Sequence, residues 1–177
     1  MTNDGQDLGP AAPLPDEARE LAGLLSQVAW FNRLRLLVAA GVVWLTALAA
    51  HALDIVADAV PLYLLAALTV AVDVVYLLMF SRLQRRGVRA VRRHVYLQIG
   101  VDLLILTALL HYTGGITNPL ALCYLFHAFI AALVLSVGAA IAVAVSSLLL
   151  LALLGFAERV GWVPHHPLGL GLIDLTP

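Results

Sequence analysis

Four polar side chains interrupt the apolar stretches of this sequence: Asp73, Gln98, Asp102 and His127. An ionised carboxylate is costly to bury in a long apolar segment, so each aspartate must be protonated, paired or in contact with water. Gln98 precedes Asp102 by one helical turn, so the two can hydrogen-bond each other or a neighbouring helix. Asp73 needs a partner from another helix. These groups fit either a polar clamp between helices or a site for a ligand or a proton, and both interpretations stay open.

A run of turn-forming residues, 111–120, lies between two apolar segments. Gly114 and Gly115 can adopt positive φ angles without steric cost. Asn118 suits a helix N-cap, and Pro119 suits the first position of the helix that follows. The run fits a simple helix–loop–helix corner. It equally fits a binding loop whose backbone N–H groups face a carbonyl or an anionic ligand.

His127 lies about two helical turns after Pro119 and therefore just below this loop. Tyr124 is on a related face of the same predicted helix, and a His–Tyr pair could hydrogen-bond the oxygen of a quinone head group. His127 could instead donate to a backbone carbonyl of an adjacent helix. A metal site needs converging ligands, and no motif spacing links the histidines and Cys123, so we predict no metal.

The composition is that of a membrane protein. Hydrophobic residues make up 62% of the 177 residues and charged residues 12%, whereas soluble domains carry about 25% charged residues. Several apolar segments approach the roughly 20 residues needed to cross a bilayer, which predicts an all-α, polytopic bundle of transmembrane helices. The five predicted spans lie near residues 36–53, 59–80, 95–110, 119–137 and 139–157. A tight hairpin is expected between the fourth and the fifth.

The flanking segments are more polar than this predicted transmembrane domain of residues 33–160. Residues 1–15 are rich in Pro and Gly and predict a disordered tail. Residues 16–32 predict an amphipathic helix that lies on the membrane and leads into the first span. Residues 161–177 are expected to form an external tail, leading towards a sixth span that is missing from this chain.

Arginine placement predicts the orientation. Arg33 and Arg35 flank the first span, six arginines lie between the second and the third, and the 111–120 loop has none. The N-terminus and the arginine-rich loop should therefore be cytoplasmic in a cell (inner) membrane, with the 111–120 loop outside. The sequence contains no phosphate-binding glycine loop with Lys and no HExxH or GxSxG motif, so we predict no catalytic residue. Membrane lipid, and not nucleic acid, is the expected surrounding partner.

Residues 110–120 read LHYTGGITNPL, and this stretch resembles the membrane sensor region of RegB/PrrB-type histidine kinases. That family carries a GGxxNPF heptapeptide in a short outer loop between its third and fourth spans. Gly114, Gly115, Asn118 and Pro119 match it, whereas Leu120 replaces the aromatic residue. The stretch 124–127, the acidic position Asp102, the segment 32–37 and the tail 163–168 are also similar, so the resemblance covers roughly residues 30–170.

The resemblance implies redox sensing through a ubiquinone-type ligand. From the residues themselves we expect a quinone ring with one carbonyl near the loop and the other nearer His127, with Tyr124 beside it. The resemblance also implies control of a cytoplasmic kinase core and a response regulator. This sequence shows no phosphoacceptor helix and no ATP-binding domain. It therefore fits a fragment of a kinase or a free-standing sensor module. In either case the chain could form a homodimer. A small membrane scaffold or carrier of a hydrophobic ligand, without signalling, is the competing class; transport is a third.

The predicted orientation can be measured by cysteine labelling. A Val88→Cys variant should react with an impermeant thiol reagent from the cytoplasmic side, and an Ile116→Cys variant from the outside. The reverse pattern would invert the assignment of the loop to the outer face.

Overall fold

The computed structural model describes residues 16–52, 59–83 and 86–166. The predicted tail 1–15, residues 53–58 between the first two predicted spans, residues 84–85 of the arginine-rich loop and residues 167–177 lie outside the described residues. The regular structure within the described ranges is entirely helical. Its elements are α1 (Asp16–His51), α2 (Val60–Leu83), α3 (Val88–His111), two 3-10 turns (Gly115–Thr117 and Pro119–Leu122), α4 (Cys123–Val134) and α5 (Val137–Val160). The predicted all-α fold class is confirmed.

Four of these helices, α1, α2, α3 and α5, are long and apolar enough to cross a membrane. The fourth predicted span, 119–137, is shorter than expected, because its apolar helix extends only over Pro119–Val134. The helix stops where Ser136 becomes the N-cap of α5, with its hydroxyl accepting from the Ala139 N–H at 3.2 Å. Helices α4 and α5 pack as the tight hairpin that the sequence predicts.

Helix α1 differs from the expected pair of segments. The predicted interfacial helix 16–32 and the first span join into one helix of 36 residues. Its N-terminal part packs against α3, since Leu24 and Val28 are buried in the same apolar cluster as Val91 and Val95. The reason is the apolar spacing, which continues along one face of α1 without a proline to interrupt it.

Helix α3 is the centre of the bundle, because it contacts each of the other four helices. It buries an apolar ridge at spacings of three or four residues, formed by Val91, Val95, Ile99, Leu103, Leu106 and Leu110. It begins seven residues before the predicted span 95–110, since the arginine-bearing turn before it is also helical. Large apolar side chains are exposed on all the long helices, as expected for surfaces that face lipid.

Candidate functional site

Three helices meet at a buried arginine. The Arg35 guanidinium of α1 donates from Nε and Nη2 to Asp73 Oδ1 of α2, at 2.9 and 2.5 Å. Its Nη1 donates to Asp102 Oδ2 of α3. Arg35 and Asp73 are buried, and Asp102 is 13% exposed. Asp73 therefore has its partner on another helix, as the sequence requires.

Sequence reasoning placed Arg35 at the membrane face beside Arg33, and this placement is wrong. Arg35 is buried within the bundle, whereas Arg33 is exposed. The signal that could have found it is spacing, because Arg35 continues the ridge that Leu24, Val28 and Phe31 bury at intervals of three and four residues. A charged residue on the buried face of a helix needs a counter-charge, and the two intramembrane aspartates supply it.

His127 adds a fourth group to this cluster. Its Nδ1 lies 2.8 Å from the Cys123 carbonyl oxygen, one turn back in α4. Because a carbonyl only accepts, Nδ1 carries the proton and Nε2 is left to face Asp102 Oδ2 at 4.0 Å. The histidine thus bonds a carbonyl of its own helix, not one of an adjacent helix, and it turns its second nitrogen towards the acidic pair.

The formal charge of the cluster leaves room for one proton. Arg35 contributes +1 and the ionised Asp73 and Asp102 contribute −1 each, which leaves −1 with His127 neutral. A net charge inside a membrane bundle is costly, and one further proton on His127 or on a carboxylate makes the cluster neutral. One proton on the cluster would therefore balance its charge at the wall of a cavity.

That cavity has a volume of about 320 Å³ and lies between α1, α2, α3 and α4. Arg35, Asp73, Asp102 and His127 form its polar part, and the remaining lining is almost entirely apolar, with side chains such as Phe31, Val38, Leu65, Ile105, Leu120, Phe126 and Ile130. Apolar walls with a few convergent polar groups are typical of small-molecule sites, whose volumes start at about 300 Å³.

The loop before α4 adopts the backbone that its glycines predict. Gly114 and Gly115 have φ angles of 107° and 61°. The Asn118 side chain accepts from the Leu120 N–H at 2.8 Å, which caps the turn that Pro119 begins. Asn118 Nδ2 also donates to the Thr113 carbonyl oxygen at 2.6 Å and to Thr113 Oγ1 at 2.7 Å. The amide thus closes the loop on itself and fixes the start of α4.

Only some of the residues predicted to contact a ligand line the cavity. Leu120 and His127 line the cavity together with Asp102 and Asp73, whereas Gly114, Gly115, Asn118, Pro119 and Tyr124 are not among its lining residues. The Tyr124 hydroxyl bonds Thr107 Oγ1 of α3 at 2.6 Å, so it joins α4 to α3. Gln98 donates to Asn32 Oδ1 of α1 at 3.2 Å, and not to Asp102.

A second cluster holds the loop against the end of α5. The buried Glu158 carboxylate accepts from His111 Nδ1 at 3.2 Å and from His165 Nδ1 at 2.9 Å. It lies directly against Gly115, where an added Cβ would be 2.5 Å from Oε2. Among the residues that the structure describes, no group of three or more His, Cys, Asp or Glu side chains is placed to hold a metal ion.

No known protein-family profile matches this sequence, and comparisons with curated proteins and with solved structures find no significant similarity.

The charge cluster predicts a large difference between two neighbouring arginines. Arg35→Ala leaves two buried carboxylates without a counter-charge and should lower the free energy of unfolding by about 3–5 kcal/mol. Arg33→Ala removes an exposed arginine of the same helix and should change it by less than about 0.5 kcal/mol. Unfolding in detergent measures both, and equal losses would rule out the buried ion pairs. Adding Asp73→Asn and Asp102→Asn to Arg35→Ala should recover most of the loss.

The loop predicts that two glycines with positive φ differ in their tolerance of a side chain. Gly161→Ala, at φ 79° with nothing within 4 Å of the added Cβ, should cost only the backbone strain of about 1–2 kcal/mol. Gly115→Ala adds a collision with Glu158 and should cost about 1–3 kcal/mol more. Thermal unfolding of the two variants tests this, and an equal cost would mean that Glu158 does not lie against the loop.

Proposed function

We propose that this chain is the membrane-embedded sensor region of a two-component histidine kinase, and that it senses redox state through a quinone-like ligand in the intramembrane cavity. The observation that carries the proposal is the position of His127. His127 lines the cavity, and its Nε2 lies 4.0 Å from Asp102 Oδ2, at the end of an ion-pair chain that joins α4 to α1, α2 and α3. The likeness of the loop at Gly114, Gly115, Asn118 and Pro119 to the RegB/PrrB-type heptapeptide supports the same function.

The hydrogen-bonding capacity of His127, in the polar part of the cavity, suits a quinone. A quinone oxygen only accepts hydrogen bonds, whereas a quinol hydroxyl also donates. With a proton on Nε2, His127 donates to a quinone; without it, Nε2 accepts from a quinol. The apolar lining from Leu120, Phe126 and Ile130 offers contact for the ring and the start of an isoprenoid tail.

We therefore propose that the quinone head group lies beside the polar residues of the cavity and not at the loop. The sequence alone suggested a ring held between the loop amides and His127, but the Asn118 amide is engaged by Thr113. In the proposal, the glycine loop therefore acts indirectly, because it sets where α4 begins and so where His127 stands. Leu120, the residue after the cap, is the part of the loop motif that lines the cavity.

Signalling follows if the two ligand forms prefer different packings of the helices. A ligand that forms a hydrogen bond with His127 Nε2 changes the interaction between this nitrogen and Asp102. Asp102 in turn shares Arg35 with Asp73. A small displacement of α4 would thus change the forces on α1 and α2 through these ion pairs. A kinase core, joined to this region or carried by a partner chain, would receive that change and pass it to a response regulator.

The binding part is tested with a short-tailed ubiquinone and the purified full chain in detergent. His127→Leu should weaken binding roughly tenfold, since it removes the hydrogen bond and its polar partner. Asn118→Ala should have a smaller effect, transmitted through the loop. His51→Leu is the matched control, because this exposed histidine of α1 hydrogen-bonds Tyr63 and neither residue lines the cavity. Unchanged affinity in His127→Leu would remove the proposed site.

The signalling part has its own test. Residues 1–177 joined to the core of a histidine kinase should give autophosphorylation that depends on the ratio of quinone to quinol. Binding without such a dependence would favour the competing class, a membrane protein that carries a hydrophobic ligand.

A further inference from the structure

One face of α3 carries a buried line of polar side chains. His94, Gln98 and Asp102 follow at intervals of four residues, so they lie on the same face of the helix. The line is about 12 Å long at 1.5 Å per residue. His94 is 5% exposed and Gln98 is fully buried. A polar line of this length inside an apolar membrane bundle needs partners.

The neighbouring helices supply polar groups, but incompletely. Asn32 of α1 accepts from Gln98, and the Tyr76 ring of α2 meets the His94 ring edge-on with centroids 5.3 Å apart. The Arg35 guanidinium lies 4.9 Å from the centre of the same Tyr76 ring and continues to Asp73 and Asp102. We call the set His94, Gln98, Asn32, Tyr76, Arg35, Asp73 and Asp102 the polar column.

Four atoms of this column have no hydrogen-bond partner in the described structure: Asn32 Nδ2, Asp73 Oδ2, His94 Nε2 and Gln98 Oε1. All four side chains are more than nine-tenths buried. Buried polar atoms are bonded in about nine cases of ten, so four open atoms on three adjoining helices call for ordered water between them. They include both donors and acceptors, so ordered water can bond each of them.

The column joins two different environments. His94 lies close to the arginine-rich end of the bundle, where Arg89, Arg92 and Arg93 of the same helix are exposed. Asp102 lies at the cavity wall beside His127. A line with a titratable group at each end, and with non-titratable amides that can orient water between them, has the composition of a proton relay.

We propose that the polar column is a proton route from the arginine-rich end of the bundle to the Asp102–His127 pair. His94 takes up one proton from water at the arginine-rich end on one ring nitrogen and releases one from Nε2; this proton passes through water held by Gln98 Oε1 and Asn32 and reaches Asp73 Oδ2, Asp102 or His127 Nε2. His94 is regenerated when the proton leaves, and no electron moves. Arg35 is the fixed positive charge that faces the route, and Tyr76 is the hydroxyl-bearing side chain of α2 beside it. The route supplies the one proton that neutralises the cluster and does not depend on which ligand the cavity binds.

A purely structural clamp would be built differently. A clamp between helices gains from pairing both ends of each amide, whereas Asn32 and Gln98 share a single hydrogen bond and leave one further atom each open. The histidine at the end of the line is likewise held by an edge-on ring contact, with its buried Nε2 left open. These open atoms are what a water-mediated path requires.

The test measures from which side protons reach the cluster. The full chain is reconstituted in phosphatidylcholine vesicles, sorted by orientation with an impermeant thiol reagent on Val88→Cys. Dicyclohexylcarbodiimide, an apolar reagent, adds to protonated carboxyl groups and forms an N-acylurea, which mass spectrometry locates on the peptide that carries Asp102 or Asp73. Acidifying the arginine-rich side alone should raise labelling quickly, and acidifying the glycine-loop side alone should not. This arm needs no substitution in the column.

Variants then locate the route. His94→Phe and Gln98→Leu should slow labelling after acidification of the arginine-rich side roughly tenfold or more. Tyr96→Phe is the matched control, since Tyr96 lies on the exposed face of the same helix. Labelling from the glycine-loop side alone, or equal rates in the parent, His94→Phe and Gln98→Leu proteins, would overturn the proposal. The readout uses no quinone, so its failure is distinct from a failure of ligand binding.

Discussion

The sharing of Arg35 by Asp73 and Asp102 is the interaction on which the interior of this bundle depends. A carboxylate cannot remain ionised in a membrane helix without a partner, and two such carboxylates face one guanidinium here. This requirement fixes the rotation of α1, α2 and α3 about their axes, because each must turn its charged residue inwards. The apolar ridges of α1 and α3 then pack in the register that the charges allow.

The glycine loop is the second constraint, and it acts on α4. Glu158 of α5 holds Gly115 from one side, while Asn118 ties the loop to Thr113 and caps the turn that leads into α4. Since α4 is short and begins at a fixed point, the place of His127 follows from the loop. The two constraints meet where His127 Nε2 faces Asp102, 4.0 Å away. The loop motif and the charge cluster are therefore parts of one arrangement, although they are separated along the helices.

Apolar length and periodicity predict most of the fold. Residues 59–80 and 139–157 match α2 and α5 closely, because a long apolar run has one stable form in a bilayer. The buried charge cluster was harder to predict from the sequence. Counting arginines places Arg35 at the membrane face, since the rule sums charges near the ends of spans and ignores the face of the helix on which a charge lies. Asn32 and His94 were missed for a related reason: Asn32 becomes significant only when α3 brings Gln98 beside it, and His94 only when α2 brings Tyr76 beside it.

Stability alone gives no reason for so polar an interior. Interhelical hydrogen bonds in membranes contribute only about 0.6 kcal/mol on average, whereas each buried atom left without a partner costs about 1–3 kcal/mol. Buried ion pairs can often be replaced by apolar side chains of similar volume without loss. Four open atoms beside two ion pairs therefore make the bundle less stable than an apolar one would be. The proposed proton route, which needs water and a mobile proton next to the cavity, would account for this cost and would link the charge cluster, the cavity and the polar line of α3.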